Sequence, residues 1–263
     1  MQRSKTEVNK EDLIHRSLGK IICYPNPTIE ELEIRVGELR SLKVSEIIPE
    51  GQIFIDGFPI LGKGCTSTVV KAVACGGLHA LKARRTDSNR ASMEQEARLQ
   101  ISANSINVGA RLISYTRNFI LMELLEGPFL SEWISCNPTM EEVKMVLTMM
   151  LYDCFKMDLA GLDHGELANA SRHIKIVKER AYEECVTFKP VIIDFESASL
   201  NRRSRNVTSI CQFLFLSSGK MKRLISAGIE YPRLIEALRA YKAKPCRETF
   251  NLILYSTGLM VGQ

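Results

Sequence analysis

No run of apolar residues in this sequence approaches the ~20 that a membrane helix needs. The longest, FILM at 119–122 and VLTMML at 146–151, stop far short, so no membrane partner is expected. The opening segment, MQRSKTEVNKEDLIHRS, is polar and lacks the apolar core of a signal peptide. No two of the eight cysteines (23, 65, 75, 136, 154, 185, 211 and 246) form a C-x-x-C pair. Reduced thiols in a cytoplasmic protein are the expectation. There is no internal repeat and no low-complexity tract. Charge of one sign is also scarce: the net charge of +5 suits a small polyanion and does not by itself imply nucleic acid.

What is present is an ordinary globular composition, 45% apolar and 25% charged over 263 residues. That length suffices for one large domain or two lobes with a proper core. Residues 1–50 read as helical. Asn9 to Asp12 can open a short helix, and Thr28 with Glu31 forms a capping box. Ile29, Leu32, Val36 and Leu39 follow at helical spacing and give that helix one apolar face. From about residue 51 the texture becomes strands, with STVVKAVA and LHALKAR flanking a Cys75-Gly76-Gly77 turn as a hairpin. Ser88 or Asn89 caps a helix to about Ser102, and strands at 110–115 and 118–124 follow. After Glu126-Gly127-Pro128 the chain turns helical. Thr139 and Glu142 box the start of a long helix that ends near Gly161. Short strands near 174–178 and 190–194 precede further helices, with Pro232 and Pro245 at helix starts. This is α+β: a helical extension (1–50), a strand-rich half (51–126) and a helix-rich half (127–263), hinged near 125–128.

Five short segments carry candidate chemistry. Leu61-Gly62-Lys63-Gly64-Cys65-Thr66-Ser67-Thr68-Val69 is a glycine loop between two strands, where the missing side chains let backbone lie close over phosphates. A glycine pair alone is as often a simple turn. Ala80-Leu81-Lys82 on the next strand sharpens it, although a lone strand lysine is ordinarily a solvated one. Glu96, on the helix MEQEARLQ, can face Lys82 while Glu94 points elsewhere; taken alone it is a surface glutamate. The apolar strand ending Leu121-Met122-Glu123-Leu124-Leu125-Glu126-Gly127 suits a hinge, or simply an edge strand and turn. Asp163-His164-Gly165-Glu166-Leu167 follows the long helix; a lone histidine there is more often structural. Val191-Ile192-Ile193-Asp194-Phe195-Glu196 reads as a strand ending in carboxylates at i and i+2, on one face by alternation. Such a pair suits a magnesium ion carrying phosphates, or merely a capped strand end.

Together these segments resemble the protein-kinase superfamily across residues 58–200, in order and spacing. The likeness is greatest to the small archaeal kinases of the RIO type and to the kinase of the tRNA-modifying KEOPS complex. The latter is resembled through the Glu-Gly-Pro hinge and the His-Gly-acid-Leu loop. Arg205-Asn206-Val207-Thr208 is similar to a group of predicted archaeal serine/threonine kinases. The resemblance implies a two-lobed fold, an antiparallel sheet lobe with one helix followed by a reduced helical lobe, using ATP and Mg2+. Gly62 and Gly64 would cover the phosphates. Leu61, Val69, Ala80 and Met122 would line the adenine, and the backbone near Glu123 and Leu125 would bond its edge. Lys82 would pair with Glu96, and Asp194 would bind magnesium. Glu166 stands where the family's catalytic aspartate stands.

The departures are specific. Ser67 replaces the loop's third glycine, and Glu166 is one methylene longer than aspartate. Ser171 stands where the family has a metal-binding asparagine, and Glu196 replaces the glycine of D-F-G. Glu196 is expected to supply the missing second metal ligand. No A-P-E motif follows, so the peptide-docking region is reduced. The basic cluster Arg202, Arg203 and Arg205 is by default a solvated loop, or else grips an acidic protein partner, RNA or an RNP. The leading expectation is an atypical kinase acting on a serine or threonine hydroxyl, including its own. A nucleotide-binding pseudokinase scaffold and a small-molecule kinase of the choline or aminoglycoside type are the alternatives.

Overall fold

The computed structural model of the chain describes residues 19–180, 186–217 and 229–260. The helix expected from Asn9 to Asp12 lies outside them, as does Cys185. Two compact units divide the chain. One holds the described residues through Ala97 with Arg111–Leu124; the other holds Arg98–Ala110 and the described residues from Leu125 onward.

The first unit is built on an antiparallel sheet. Its strands are β1 (Val44–Ile48), β4 (Gly62–Lys63), β5 (Ser67–Ala74), β6 (Gly77–Arg84), β7 (Leu112–Tyr115) and β8 (Phe119–Glu123). They run in the order β1-β5-β6-β8-β7, with β4 added to β5. A separate hairpin, β2 (Ile53–Ile55) with β3 (Phe58–Ile60), lies between β1 and β4 in the chain. The β5–β6 hairpin turns through Cys75 and Gly76, both left-handed at φ 52 and 77, as a two-residue turn requires. β1 corrects the expectation of helix through residue 50: its residues pair with β5 from Val44↔Ala74 to Ile48↔Lys71. The helix after it starts at Glu94 and runs to Ser105 (α2), later at both ends than its sequence suggests.

Helix α1 (Ile29–Ser41) starts where Thr28 accepts from the Glu31 amide at 3.2 Å. Only that half of the expected capping box forms, because the Glu31 carboxylate instead takes Arg35 Nε at 2.7 Å. The apolar face forms in part, with Leu32 and Val36 packed against the core. Leu39 is buried, but Ile29 is 75% exposed and Arg35 is fully buried. The Arg35 guanidinium donates to the carbonyls of Ile22 and Arg84. Glu38 accepts from Thr116 and from both nitrogens of Asn118. Charge-assisted bonds add to the apolar contacts of Leu32, Val36 and Leu39 in holding α1 against the sheet. Beneath them Ile21, Ile22, Val70, Leu81, Phe119 and Leu121 form the sheet's core.

The second unit is mainly helical. Its elements are α3 (Leu130–Ser135), α4 (Met140–Leu159), the hairpin β9 (Ile174–Arg180) with β10 (Val186–Ile192), α5 (Asn206–Cys211), α6 (Tyr231–Ala243) and α7 (Arg247–Ser256). α4 carries the full capping box, Thr139 and Glu142 bonding each other's backbone amides, and stops before Gly161 at φ +69. Its buried stripe, including Val146, Leu147, Met150, Leu151 and Cys154, anchors the larger core.

Candidate functional site

In the first unit the glycine loop is the tip of the β4–β5 hairpin. Gly62 pairs with Val69, and the Gly64 amide donates to the Ser67 carbonyl at 2.8 Å. A Cβ at Gly64 would meet the Ser67 carbonyl at 3.5 Å, an ordinary contact, so the protein's own packing does not demand this glycine. Arg85, clamped by Asp87, donates to the Gly64 carbonyl at 3.0 Å and steadies the loop. One strand over, Val69 lies opposite Lys82. The Lys82 ammonium donates to Glu96 Oε1 at 2.5 Å, with both side chains almost fully buried. Glu94, by contrast, is exposed. A buried ammonium without a carboxylate would be strongly unfavourable, so the two charges require each other. Ala80 lies beside Lys82 on β6 and pairs with Met122 of β8, while the Glu123 amide bonds the Arg111 carbonyl. Leu61, Gly62, Gly64, Val69, Ala80, Lys82, Glu96, Met122 and Glu123 thus all fall on the β4–β5–β6–β8 sheet region or on α2.

In the second unit the segment 162–166 leaves α4 and is fixed from below. The Asp158 carboxylate accepts from the Asn206 and Val207 amides, the Asn206 side chain and the Tyr241 hydroxyl. Burial pushes the Asp158 carboxyl up, and those four donors oppose the rise. Asn206 passes the anchorage on: its Nδ2 donates to the Leu162 carbonyl at 2.7 Å and its Oδ1 accepts the His164 amide at 2.9 Å. His164 is wholly buried and its Nε2 meets the Ile193 carbonyl at 3.0 Å. Desolvation lowers its pKa to about 4, so the ring is neutral and Nε2 donates. His164 therefore ties the 162–166 turn to the segment entering Asp194. Sequence reasoning passed over Asp158 and Tyr241 and met Asn206 only in the Arg205–Thr208 likeness, without this role; the three act across 48 and 83 residues.

The expectation that alternation aligns Asp194 with Glu196 is corrected. β10 ends at Ile192. Asp194 is left-handed (φ 69, ψ 72), and Phe195–Ser197 form one tight helical turn. The turn, not a strand, brings one carboxylate oxygen of each within 4.8 Å. Gly109 makes room for it: a Cβ there would come 2.8 Å from the Phe195 ring. Glu166 Oε1 accepts Ser197 Oγ at 2.8 Å, and Oε2 lies 3.0 Å from His173 Nε2. Glu166, His173 and Asp194 place one ligand atom each within 4.8 Å of one another. His173 was not anticipated; Ser171, expected near the metal, bonds Asn169 instead. The Leu125 carbonyl accepts Lys175 Nζ at 3.2 Å. Of the basic cluster, Arg202 is bound to Asp163 and the Ser197 carbonyl, and Arg203 to the Lys242 carbonyl. Two of its three guanidiniums therefore serve the fold.

A search of solved structures aligns the chain with the Rio2 kinase–ADP/Mg2+–phosphoaspartate complex from Chaetomium thermophilum. The alignment covers 98% of this chain and 86% of that one, with a TM-score of 0.53 and 15% identity. The chain has a protein-kinase-like fold. No family profile matches the sequence, and no curated protein matches it. Within this kinase-like fold the described residues include no helix long and apolar enough to cross a membrane. The likeness carries the sheet unit and the helical unit, and leaves the archaeal and KEOPS resemblances as sequence likenesses. The Asp194 and Glu196 oxygens form a donor set that fits a hard, oxygen-preferring cation such as Mg2+.

Proposed function

We propose that the chain is an atypical kinase that transfers the γ-phosphate of ATP to a serine or threonine hydroxyl, its own included. The buried Lys82–Glu96 pair is the observation that carries this reading. A lysine held at 2.5 Å by a buried glutamate is fixed in position, as a group must be to neutralise phosphate oxygens. Lys82 binds and orients the α- and β-phosphates, and the Gly62–Gly64 tip approaches the phosphate chain. Asp194 and Glu196 would hold Mg2+, which supplies charge neutralisation on the phosphates when bound. Glu166, bonded by Ser197 at Oε1 and by His173 at Oε2, orients the acceptor hydroxyl. Ala80, opposite Met122, is small, as packing of an adenine ring on that strand would require.

The test is incubation with γ-labelled ATP and Mg2+, beside Lys82→Ala and Asp194→Ala. Label on the wild type and on neither variant is the expected result. ATP binding without transfer in the wild type would overturn phosphotransfer and leave a nucleotide-binding scaffold. Equal label on all three would overturn the assignment of these residues.

A further inference from the structure

The cluster formed by Glu166, His173 and Asp194 is chemically unlike the oxygen pair beside it. Its three ligand atoms lie within 4.8 Å of one another, and one of them is an imidazole nitrogen. Glu166 Oε2 and His173 Nε2 are 3.0 Å apart. Neighbouring ligands of an octahedral ion with bonds of about 2.1 Å are separated by about 3.0 Å. Ser197 holds Glu166 Oε1 and so leaves Oε2 directed at the ring. His173 Nδ1 is buried with no hydrogen-bond partner, and the ring meets Glu166 through Nε2.

Resting on the phosphotransfer reading, we propose that Glu166, His173 and Asp194 form a cation site with one nitrogen ligand that prefers Mn2+ to Mg2+. Mg2+ demands oxygen ligands in a rigid octahedron and is poorly served by imidazole. Mn2+ is also octahedral and shares Mg2+'s fit to carboxylates, but as a first-row ion it takes a neutral nitrogen more readily than Mg2+ does, while standing lowest of that row in affinity. Asp194 belongs to both groupings, the oxygen pair with Glu196 and the nitrogen-bearing trio. The preference therefore resides in His173 and not in the carboxylates.

The experiment is a Mn2+ titration of the whole chain without nucleotide, followed by electron paramagnetic resonance, with Mg2+ as competitor. Pulsed spectra of the wild type report nitrogen hyperfine coupling to bound Mn2+ directly and need no variant. Coupling is expected, together with a preference of roughly tenfold or more for Mn2+ over Mg2+. His173→Asn should abolish the coupling and the preference while leaving Mg2+ binding within about twofold. A wild-type spectrum without nitrogen coupling, absence of bound Mn2+, or parallel loss of both ions in His173→Asn would each overturn the site. Label transfer is measured on the same preparations. Transfer with Mg2+ in a protein lacking nitrogen-coupled Mn2+ removes the His173 site alone; nitrogen-coupled Mn2+ without transfer removes the kinase reading alone.

Discussion

Replacing His164 by phenylalanine gives a test in which sign and size both follow from burial. His164 is fully buried, and its pKa falls to about 4. In the unfolded chain the same ring titrates near about 6.5. The unfolded state therefore takes up the proton first. The contribution of the neutral ring to stability is complete above about pH 6.5 and is lost as pH falls toward about 4. Integrated between those values, the loss is about 2 kcal/mol at pH 5 and about 3 kcal/mol at pH 4. Phenylalanine keeps the edge-on ring contact with Phe195, whose centroid is 5.1 Å away, but gives up the bond to the Ile193 carbonyl. At pH 7 the variant should be less stable by about 1–2 kcal/mol. The gap should close as pH falls and reverse by about pH 4, because only the wild type must bury a ring that water would protonate. Trp133, the sole tryptophan, is buried in the same unit and reports urea unfolding by fluorescence. Glu166, His173 and Asp194 also surround the ring, but they are present in both proteins and cancel in the difference. A gap that stays constant within about 0.5 kcal/mol from pH 7 to pH 4 would refute the reasoning.

Asn206→Ala should cost about 3 kcal/mol or more, because it strands the buried His164 amide and Leu162 carbonyl and removes a donor from Asp158. A loss below about 1 kcal/mol by Trp133 fluorescence would show that this amide does not anchor the loop. Gly109→Ala should destabilise by about 2 kcal/mol or more, since φ is +81 and the new methyl meets Phe195 at 2.8 Å; an unchanged melting temperature would contradict that crowding. Glu196→Ala should weaken ATP binding in Mg2+ and leave it unchanged in EDTA, as read by calorimetry. Equal affinity of variant and wild type in Mg2+ would remove Glu196 as a ligand.

The sheet unit was largely legible because its signals are local. The β5–β6 hairpin is two apolar runs about one turn, and the Lys82–Glu96 pair joins a strand to the helix after it, 14 residues on. One local signal went unread: Asp56-Gly57 between Ile55 and Phe58 is a standard two-residue hairpin turn, and β2 and β3 form on it. β1 gave less to read, since Ser45 and Glu46 interrupt its apolar residues. Arg35 was illegible for a physical reason. An arginine on a helix defaults to solvent, and its burial is made tolerable by the Glu31 carboxylate one turn back together with carbonyls and an amide from three distant segments. In the helical unit the same limit applies to Asp158, Asn206 and Tyr241, where each polar group is meaningful only beside the others. The segment 191–196 was misread because alternation was carried past Ile192, where the backbone turns left-handed at Asp194. Asp tolerates that conformation better than most residues.

The departures at 166 and 171 also look different once their partners are known. A glutamate in place of aspartate and a serine in place of asparagine could each be a simple loss of function. Glu166, however, is bonded at both oxygens, to Ser197 and to His173. Ser197 closes the turn that begins after Asp194, and its carbonyl in turn accepts Arg202. Gly165, at φ +93, is the residue that makes this approach feasible, because a Cβ there would fall 2.8 Å from the Ser197 carbonyl. Asp163 and Ser199 add a backbone bridge between the same two segments. The longer side chain is thus matched by a hydroxyl, an imidazole and a glycine that suit its length. A truncation at 166 would take from the Ser197 hydroxyl and the His173 imidazole the carboxylate they bond. Instead the carboxylate at 166 has both oxygens engaged, and the imidazole two residues beyond Ser171 faces Glu166. Residues 166 and 171 are therefore parts of one rearranged loop, and substituting Glu166 should disturb the Asp194 turn as well as the loop that carries it.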